Sequence, residues 1–145
     1  MEIRRAVPAD SDGIEKIEAL SFPDPFSKKD VFSYICSDGG MCFVALDGGE
    51  VIAYIIGRVI APEGEIYRIA THPEHRGRGV GYRLLSYAIK TERGRGLETT
   101  FLEVRSKNAA AISLYKAYGF REIGKRKNYY KNPDDDAILM VLGHI

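Results

Sequence analysis

The chain has 145 residues, of which 45% are hydrophobic and 28% are charged, and its net charge at pH 7 is +1. This composition is typical of a globular protein, and the length predicts one domain over residues 1–145. The near-zero charge disfavours a nucleic-acid binder, because such proteins need a basic excess to neutralise phosphates.

Apolar runs stay short of the ~20 residues that a membrane span needs, and the first residues show no signal-peptide pattern. The two cysteines, Cys36 and Cys42, have neither metal-binding nor redox spacing. We therefore expect a cytoplasmic protein without a membrane partner, in which both thiols are small buried hydrophobic groups.

The first forty residues predict one strand and two helices. After the strand, Asp10 or Ser11 is placed to cap an amphipathic helix. The segment 22–27 contains two prolines and ends this helix, which predicts an extended loop. That loop holds two aromatic side chains in defined places, Phe22 and Phe26. Its last residue, Ser27, is placed to cap the second helix.

From residue 41 the apolar period changes to that of strands. The runs 42–46 and 51–59 are joined by Asp47-Gly48-Gly49-Glu50, which predicts a hairpin. A third strand at 65–71 continues the antiparallel sheet. An amphipathic helix follows Gly81, and Gly94 is predicted as its C′ residue, where a glycine commonly has a left-handed φ.

The last third of the chain predicts a strand at 99–104, a helix from Ala109 to Tyr118 and a hairpin. Because a helix precedes it, the 99–104 strand should lie parallel to the 65–71 strand. The hairpin is expected to pair 120–130 with 137–142. The predicted fold class is therefore mixed α/β, with about seven mostly antiparallel strands, a central parallel pair and helices on both faces.

The stretch Arg76-Gly77-Arg78-Gly79-Val80-Gly81 lies between a strand and a helix. Free backbone N–H groups and the positive end of a helix dipole favour a phosphate-bearing ligand there. The spacing departs from the dinucleotide pattern, because the third glycine comes one place early, and the chain has no Gly-Lys-Ser/Thr. Glycines that serve only a tight turn remain an alternative.

The pattern Arg76-x-x-Gly79-x-Gly81 at a strand-to-helix junction resembles the acetyl-CoA pyrophosphate loop of the GNAT superfamily of N-acetyltransferases. The block Leu102-Glu103-Val104-Arg105, followed by Asn108-Ala109-Ala110-Ala111 and Tyr115, resembles the same superfamily. Together with the element order, these motifs extend the resemblance over essentially the whole chain. The second block is similar to the ribosomal-protein alanine N-acetyltransferases of the superfamily, the RimI branch.

This resemblance implies a catalytic pair. Glu103 matches the base that takes a proton from the acceptor amine, directly or through water, and Tyr115 matches the acid that protonates the departing thiolate. From the residues alone, Glu103 is also consistent with a surface carboxylate paired with Arg105, and Tyr115 with core packing.

The resemblance also implies an acetyl-CoA site at the end of the 65–71 strand, in the glycine loop and at the next helix. The implied residues are Ile69, Ala70, Thr71, Arg76, Gly77, Arg78, Gly79, Val80, Gly81, Tyr82, Asn108 and Tyr115. The residues implied in acceptor binding are Phe22, Phe26, Tyr129 and Tyr130. His72 and His75 form H-x-x-H outside a helix and without a third ligand, so we expect no metal site.

The partner implied by the resemblance is a protein N-terminus, with a ribosomal protein as the first candidate. An α-amine has a lower reference pKa than a lysine, so it needs less help from a base. Two alternatives remain open at this point: acetylation of a small amine or a lysine side chain, and CoA binding without catalysis. We expect a monomer or a weak dimer.

Overall fold

The structure is a computed structural model that describes residues 1–143 of the chain. The strands in chain order are β1 Glu2–Arg5, β2 Phe43–Asp47, β3 Glu50–Ile60, β4 Glu63–Thr71, β5 Thr99–Arg105, β6 Arg121–Tyr130 and β7 Asp135–Leu142. The helices are α1 Ser11–Ser21, α2 Lys28–Cys36, α3 Val80–Arg93 and α4 Ala109–Tyr118. Two short 3-10 segments precede α1 and α3, at Pro8–Asp10 and Pro73–His75.

The strands form one seven-stranded sheet in the order β1-β2-β3-β4-β5-β7-β6. Each neighbouring pair is antiparallel except β4 with β5, which α3 connects as a crossover. The predicted fold class, with its central parallel pair, is confirmed. The β2–β3 hairpin closes through Gly48 and Gly49, whose φ angles are +58° and +84°, as a tight two-residue turn requires.

Each face of the sheet has its own hydrophobic core. On one face, Ile14 and Ile17 of α1 pack with Val31 of α2 and with strand residues such as Tyr54. On the other face, the buried stripe of α3 packs on the sheet beside α4: Val80, Leu84, Leu85, Ala88 and Ile89. Burial of one such aliphatic side chain contributes about 1.5–3 kcal/mol, so this stripe holds α3 firmly on the sheet.

The α1–α2 connection is stabilised by an N-cap at Ser27. Its hydroxyl accepts a hydrogen bond from the backbone N–H of Asp30 at 3.1 Å, as predicted. Asp10 occupies the N-cap position of α1, but within the described residues its carboxylate makes no cap hydrogen bond. Instead it accepts hydrogen bonds from Arg4 and from the backbone N–H of Val7. The Asp10 side chain therefore forms hydrogen bonds with β1 and the segment after it, and it does not cap the helix.

Two further local predictions are wrong. Gly94 follows α3 in a right-handed conformation, and the glycine with a left-handed φ of +103° is Gly96, two residues later. Cys36 is exposed at the end of α2, whereas Cys42 is buried as expected. Burial raises the pKa of the Cys42 thiol to about 11. No helix within residues 1–143 is long and apolar enough to cross a membrane.

Candidate active site

The site forms where the two central strands separate. β4 and β5 pair from Glu63 with Thr99 up to Ile66 with Leu102. Tyr67 is an extra residue in β4, because Ile56 pairs with Arg68 while Gly57 pairs with Ile66. Such a β-bulge bends its strand and ends the pairing, so the strands diverge beyond it.

Gly57 permits this bulge, because a Cβ at that position would collide with the carbonyl oxygen of Glu65. Past the bulge, Ile69–Thr71 remain paired with β3, and Glu103–Arg105 remain paired with β7. The edge of each strand that faces the opening is therefore available to a ligand.

A cavity of about 560 Å³ lies on one side of this opening. Its walls are the end of β4, the glycine loop before α3, the start of α4 and the loop after α1. The predicted cofactor residues that line it are Ile69, Ala70, Thr71, Arg76, Gly77, Gly79, Val80, Gly81, Tyr82 and Asn108. The structure thus brings ten of the twelve residues that the resemblance implies in acetyl-CoA binding into one cavity.

The glycine loop presents backbone rather than side chains. Gly77 and Gly79 have φ angles of +79° and +75°, and a Cβ on either would meet no atom of the described residues within 4 Å. The left-handed conformation explains the glycines, and the open space beside them is free for a ligand. The first intrahelical bond of α3 runs from Arg83 to Gly79, so the N–H groups of the preceding turn are unpaired within the helix.

The two loop arginines differ in their surroundings. Arg76 donates from Nε to the carbonyl oxygen of Thr71 at 3.0 Å and from Nη2 to Ser21 Oγ at 3.3 Å. It therefore ties the end of β4 to the end of α1. Arg78 lies exposed in the loop, where its charge can add to the positive potential near the N–H groups.

A much smaller cavity, of about 60 Å³, adjoins the first. It is lined by residues that the sequence predicts as catalytic or acceptor-binding, namely Phe22, Glu103, Tyr115 and Tyr130. Asn108 lines both cavities, while its Oδ1 accepts a hydrogen bond from the backbone N–H of Ala111 at 3.2 Å. Asn108 is thus the N-cap of α4 and also a wall of the site.

Tyr115 combines the two roles considered from the sequence. It is buried, and its ring packs against Phe120 with 5.4 Å between centroids, yet it also borders the small cavity. Burial, together with the nearby Tyr130, raises the pKa of its hydroxyl above the ordinary value. The hydroxyl is therefore protonated at neutral pH, as a proton donor must be.

Glu103 lines the small cavity and also an adjoining groove of about 560 Å³. Its ion pair is with Arg126 Nε at 3.5 Å, and not with Arg105. Arg105 instead donates hydrogen bonds to the carbonyl oxygens of Pro133 and Lys131 in the β6–β7 loop. The guanidinium of Arg105 also lies 4.4 Å from the ring centroid of Tyr130.

The predicted acceptor-binding tyrosines stand beside Glu103. Their rings are nearly perpendicular, with centroids 5.1 Å apart, and Tyr129 is exposed while Tyr130 is half-buried. The charge of Glu103 raises the pKa of Tyr129. Burial, followed by the charge of Glu103, raises the pKa of Tyr130 to about 12. Both hydroxyls are thus available as hydrogen-bond donors at neutral pH.

Phe26 does not line either cavity at the opening, unlike Phe22. It stacks on Arg68, a residue that the sequence reasoning missed together with Glu18 and Tyr54. An arginine between apolar strand residues and a glutamate at an apolar helix position are the sequence signals that could have pointed to a buried ion pair.

His72 acts as a cap. Its Nδ1 accepts a hydrogen bond from the backbone N–H of Glu74 at 3.1 Å, and its ring lies 6.0 Å from that of His75. Within residues 1–143, no group of three or more His, Cys, Asp or Glu side chains could hold a metal ion.

Comparisons with known proteins show the family of the chain. The acetyltransferase (GNAT) family profile matches residues 11–120. The ribosomal protein bS18 alanine N-acetyltransferase of Escherichia coli strain K12 is 37% identical over 128 residues, which cover 87% of this chain and 86% of that protein. The N-alpha-acetyltransferase RimI of Mycobacterium tuberculosis is 33% identical over 138 residues, covering 91% and 85%.

The solved structures include a close match in fold. The crystal structure of the ribosomal-protein-S18-alanine N-acetyltransferase from Escherichia coli superposes with a TM-score of 0.90 at 32% identity, covering 99% of this chain and 95% of that one. Sequence and structure comparisons therefore lead to the same family. The chain belongs to the acetyltransferase (GNAT) family and is an N-acetyltransferase.

Proposed function

We propose that this enzyme transfers the acetyl group of acetyl-CoA to the N-terminal α-amine of a protein, with an N-terminal alanine of a ribosomal protein as the first candidate. One observation carries the proposal. A small cavity bordered by Glu103 and Tyr115 joins a deep cavity on one side to an open groove on the other. The name of the Escherichia coli relative supplies the alanine and the ribosomal protein, and the name of the Mycobacterium tuberculosis relative supplies the α-amine.

The deep cavity is the proposed site of acetyl-CoA. Unpaired N–H groups at the start of α3 fit a pyrophosphate, since they present donors and the positive end of a helix dipole. The edge of β4 at Ile69–Thr71 that has separated from β5 offers backbone groups to an extended pantetheine arm. The open space beside Gly77 and Gly79 leaves room for the phosphates to approach the backbone.

The groove is the proposed path of the acceptor polypeptide. It runs along the sheet from Glu103, past Glu65 and Leu139, to Ile123, on a part of the face that neither α1 nor α2 covers. An open groove of this length suits a polypeptide that continues beyond its first residue. A small amine would need no such path, which favours a protein acceptor.

Bound acetyl-CoA would supply a thioester carbonyl that an amine can attack. Glu103 would take the proton that the amine loses, directly or through water, as the new C–N bond forms. Tyr115 would give its hydroxyl proton to the sulfur as the C–S bond breaks. The two residues line the same small cavity, so both protons would move near the reacting atoms.

A peptide panel tests the acceptor. Purified enzyme and acetyl-CoA are incubated with peptides that begin with Ala, Ser or Met, with N-terminally blocked peptides that contain one lysine, and with polyamines. We expect acetylation of free N-termini, with the alanine peptide fastest, as measured by mass spectrometry. Preferential acetylation of the blocked lysine peptides or the polyamines would reject the proposed acceptor.

A matched pair of variants tests whether Tyr115 is the general acid. Tyr115→Phe keeps the ring that packs on Phe120 but removes the hydroxyl, and kcat should fall by about 100-fold or more. Tyr118→Phe is the control, because that tyrosine lies on the same helix and packs on Tyr82 away from the small cavity. Equal kcat values for the two variants would show that Tyr115 is only a core residue.

A further inference from the structure

Arg68 occupies an unusual place beside the acceptor side of the site. It follows the bulged residue of β4, and its side chain is only 13% exposed. Its guanidinium lies between two aromatic rings of the α1–α2 loop, 4.4 Å from the centroid of Phe22 and 4.0 Å from that of Phe26. Two of the four aromatic residues predicted to bind the acceptor are therefore stacked on a cation that belongs to the sheet.

Glu18 forms an ion pair with the guanidinium of Arg68. Its carboxylate is fully buried in α1 and accepts a hydrogen bond from Arg68 Nη1 at 2.5 Å. The same carboxylate accepts from the hydroxyl of Tyr54 on β3 and, at 2.7 Å, from the backbone N–H of Phe26. The buried network thus connects two strands, one helix and the loop.

The other side of the guanidinium reaches Asp24 in the middle of the loop. Arg68 Nη2 donates to the Asp24 carbonyl oxygen at 2.9 Å and lies 3.3 Å from its carboxylate. Arg105, which also holds the β6–β7 loop, lies 4.0 Å from the same carboxylate. Within the described residues, the polar contacts of the Arg68 side chain are therefore of two kinds. Some are with Asp24 in the α1–α2 loop, and the other is with the Glu18 carboxylate, which also accepts a hydrogen bond from Phe26 of that loop.

We propose that Arg68, fixed by Glu18 and Tyr54, is a positioning residue that holds the 22–26 loop in the shape that binds the acceptor. This proposal rests on the proposed function, since it assigns that loop to the acceptor. The next residue along β4, Ile69, lines the acetyl-CoA cavity. The network thereby sets the distance between the acceptor loop and the strand that holds the donor. Its loss should weaken acceptor binding and leave donor binding intact.

The test must separate positioning from stability. Removal of one member of a buried ion pair leaves an uncompensated charge and destabilises the fold, whereas replacement of both is often neutral. The informative protein is therefore the double variant Glu18→Gln, Arg68→Met. Its amide oxygen at position 18 can still accept from the backbone N–H of Phe26, and its NH2 group can donate to the hydroxyl oxygen of Tyr54. Arg93→Met, an exposed arginine at the far end of α3, is the control.

We expect the double variant to keep the unfolding midpoint of the wild type. Its KM for the alanine peptide should rise by about tenfold, the cost of charge-assisted hydrogen bonds to the loop, while its KM for acetyl-CoA stays unchanged. Hydrogen exchange followed by mass spectrometry should show faster exchange in 22–27 and unchanged exchange in β3. Arg93→Met should match the wild type in each measurement.

Other outcomes have distinct meanings. A double variant with a wild-type peptide KM and wild-type exchange in 22–27 would overturn the positioning role. An equal rise of both KM values would also overturn it, because it would indicate a general disturbance. If the wild type acetylates no free N-terminus, the proposed function fails, and the exchange of 22–27 alone then decides whether Arg68 orders the loop.

Discussion

The proposed donor side and the proposed acceptor side of this site are built in different ways. The donor side relies mainly on backbone: a glycine loop, a helix start and the free edge of one strand. The acceptor side consists of side chains that hold one another, in which Arg68, Arg105 and Arg126 each contact an aromatic ring and a carboxylate.

The difference follows from what each side must recognise. A pyrophosphate is the same in every turnover, and backbone N–H groups at a helix start bind it without any particular side chain. An acceptor is distinguished by its first residues, and such selection requires side chains in set positions. Substitutions on the acceptor side should therefore change chemistry and selectivity, while those on the donor side should change affinity for acetyl-CoA.

The largest effect is expected for Glu103→Gln. The variant keeps the shape of the side chain but removes the base, so kcat should fall by about 100- to 1,000-fold at neutral pH. Glu122→Gln, an exposed residue of β6 outside the cavities, is the control. Steady-state assays with the alanine peptide give both values. A kcat within a factor of a few of the wild type would exclude Glu103 as the base.

Gly79→Ala addresses the donor side. An alanine with left-handed φ costs about 1–2 kcal/mol, and its Cβ would enter the open space proposed for the phosphates. The KM for acetyl-CoA should rise and the peptide KM should not. Gly49→Ala is a close match, because Gly49 has a φ of +84° and equally open surroundings in the β2–β3 turn.

Chemical denaturation should show a similar loss of stability for these two glycine variants. Only Gly79→Ala should lose affinity for acetyl-CoA. If both variants bind acetyl-CoA as the wild type does, the loop serves only as a tight turn, which was the alternative left open by the sequence.

The value of kcat/KM should rise with pH as the acceptor α-ammonium loses its proton, with a pKa of about 7.7–8.0. It should then stay constant to about pH 10. Tyr115 must be protonated to act as an acid, and its raised pKa extends the active range towards alkaline pH. A decline that begins below pH 9 in the wild type and disappears in Tyr115→Phe would contradict this assignment. Initial rates with the alanine peptide measure the profile.

The smallest effect is expected for Arg126→Ala. Its side chain is 55% exposed, and its 3.5 Å ion pair with Glu103 is of the kind that contributes about 0–1 kcal/mol. The rate should therefore change by less than about fivefold. A loss comparable to that of Glu103→Gln would mean that Arg126 takes part in catalysis rather than forming the rim of the groove.

The sequence was most informative where function and local structure coincide. The strand, the glycine loop and the helix from 63 to 93 are contiguous, so their apolar period and their glycines predict both the shape and the phosphate site. The proposed catalytic pair also lies within thirteen residues on one strand and the next helix, so the resemblance could suggest it without tertiary information. The end of α3 before Gly94 was predicted correctly, but the left-handed conformation of Gly94 was not, because a glycine after a helix does not by itself determine φ.

Only the tertiary structure decided how the acceptor side is held together. The bulge at Tyr67 has no local signal, and it arises where Gly57 of the neighbouring strand lets the backbone of Glu65 approach. Glu18 and Arg68 are fifty residues apart in the chain, and they meet because α1 packs across β3 and β4. Periodicity reports which face of an element is apolar, but it does not report which charge from another element will be buried against it. The sequence by itself thus determined the family and indicated the residues of the proposed donor site, whereas long-range packing determined the geometry of the 22–26 loop.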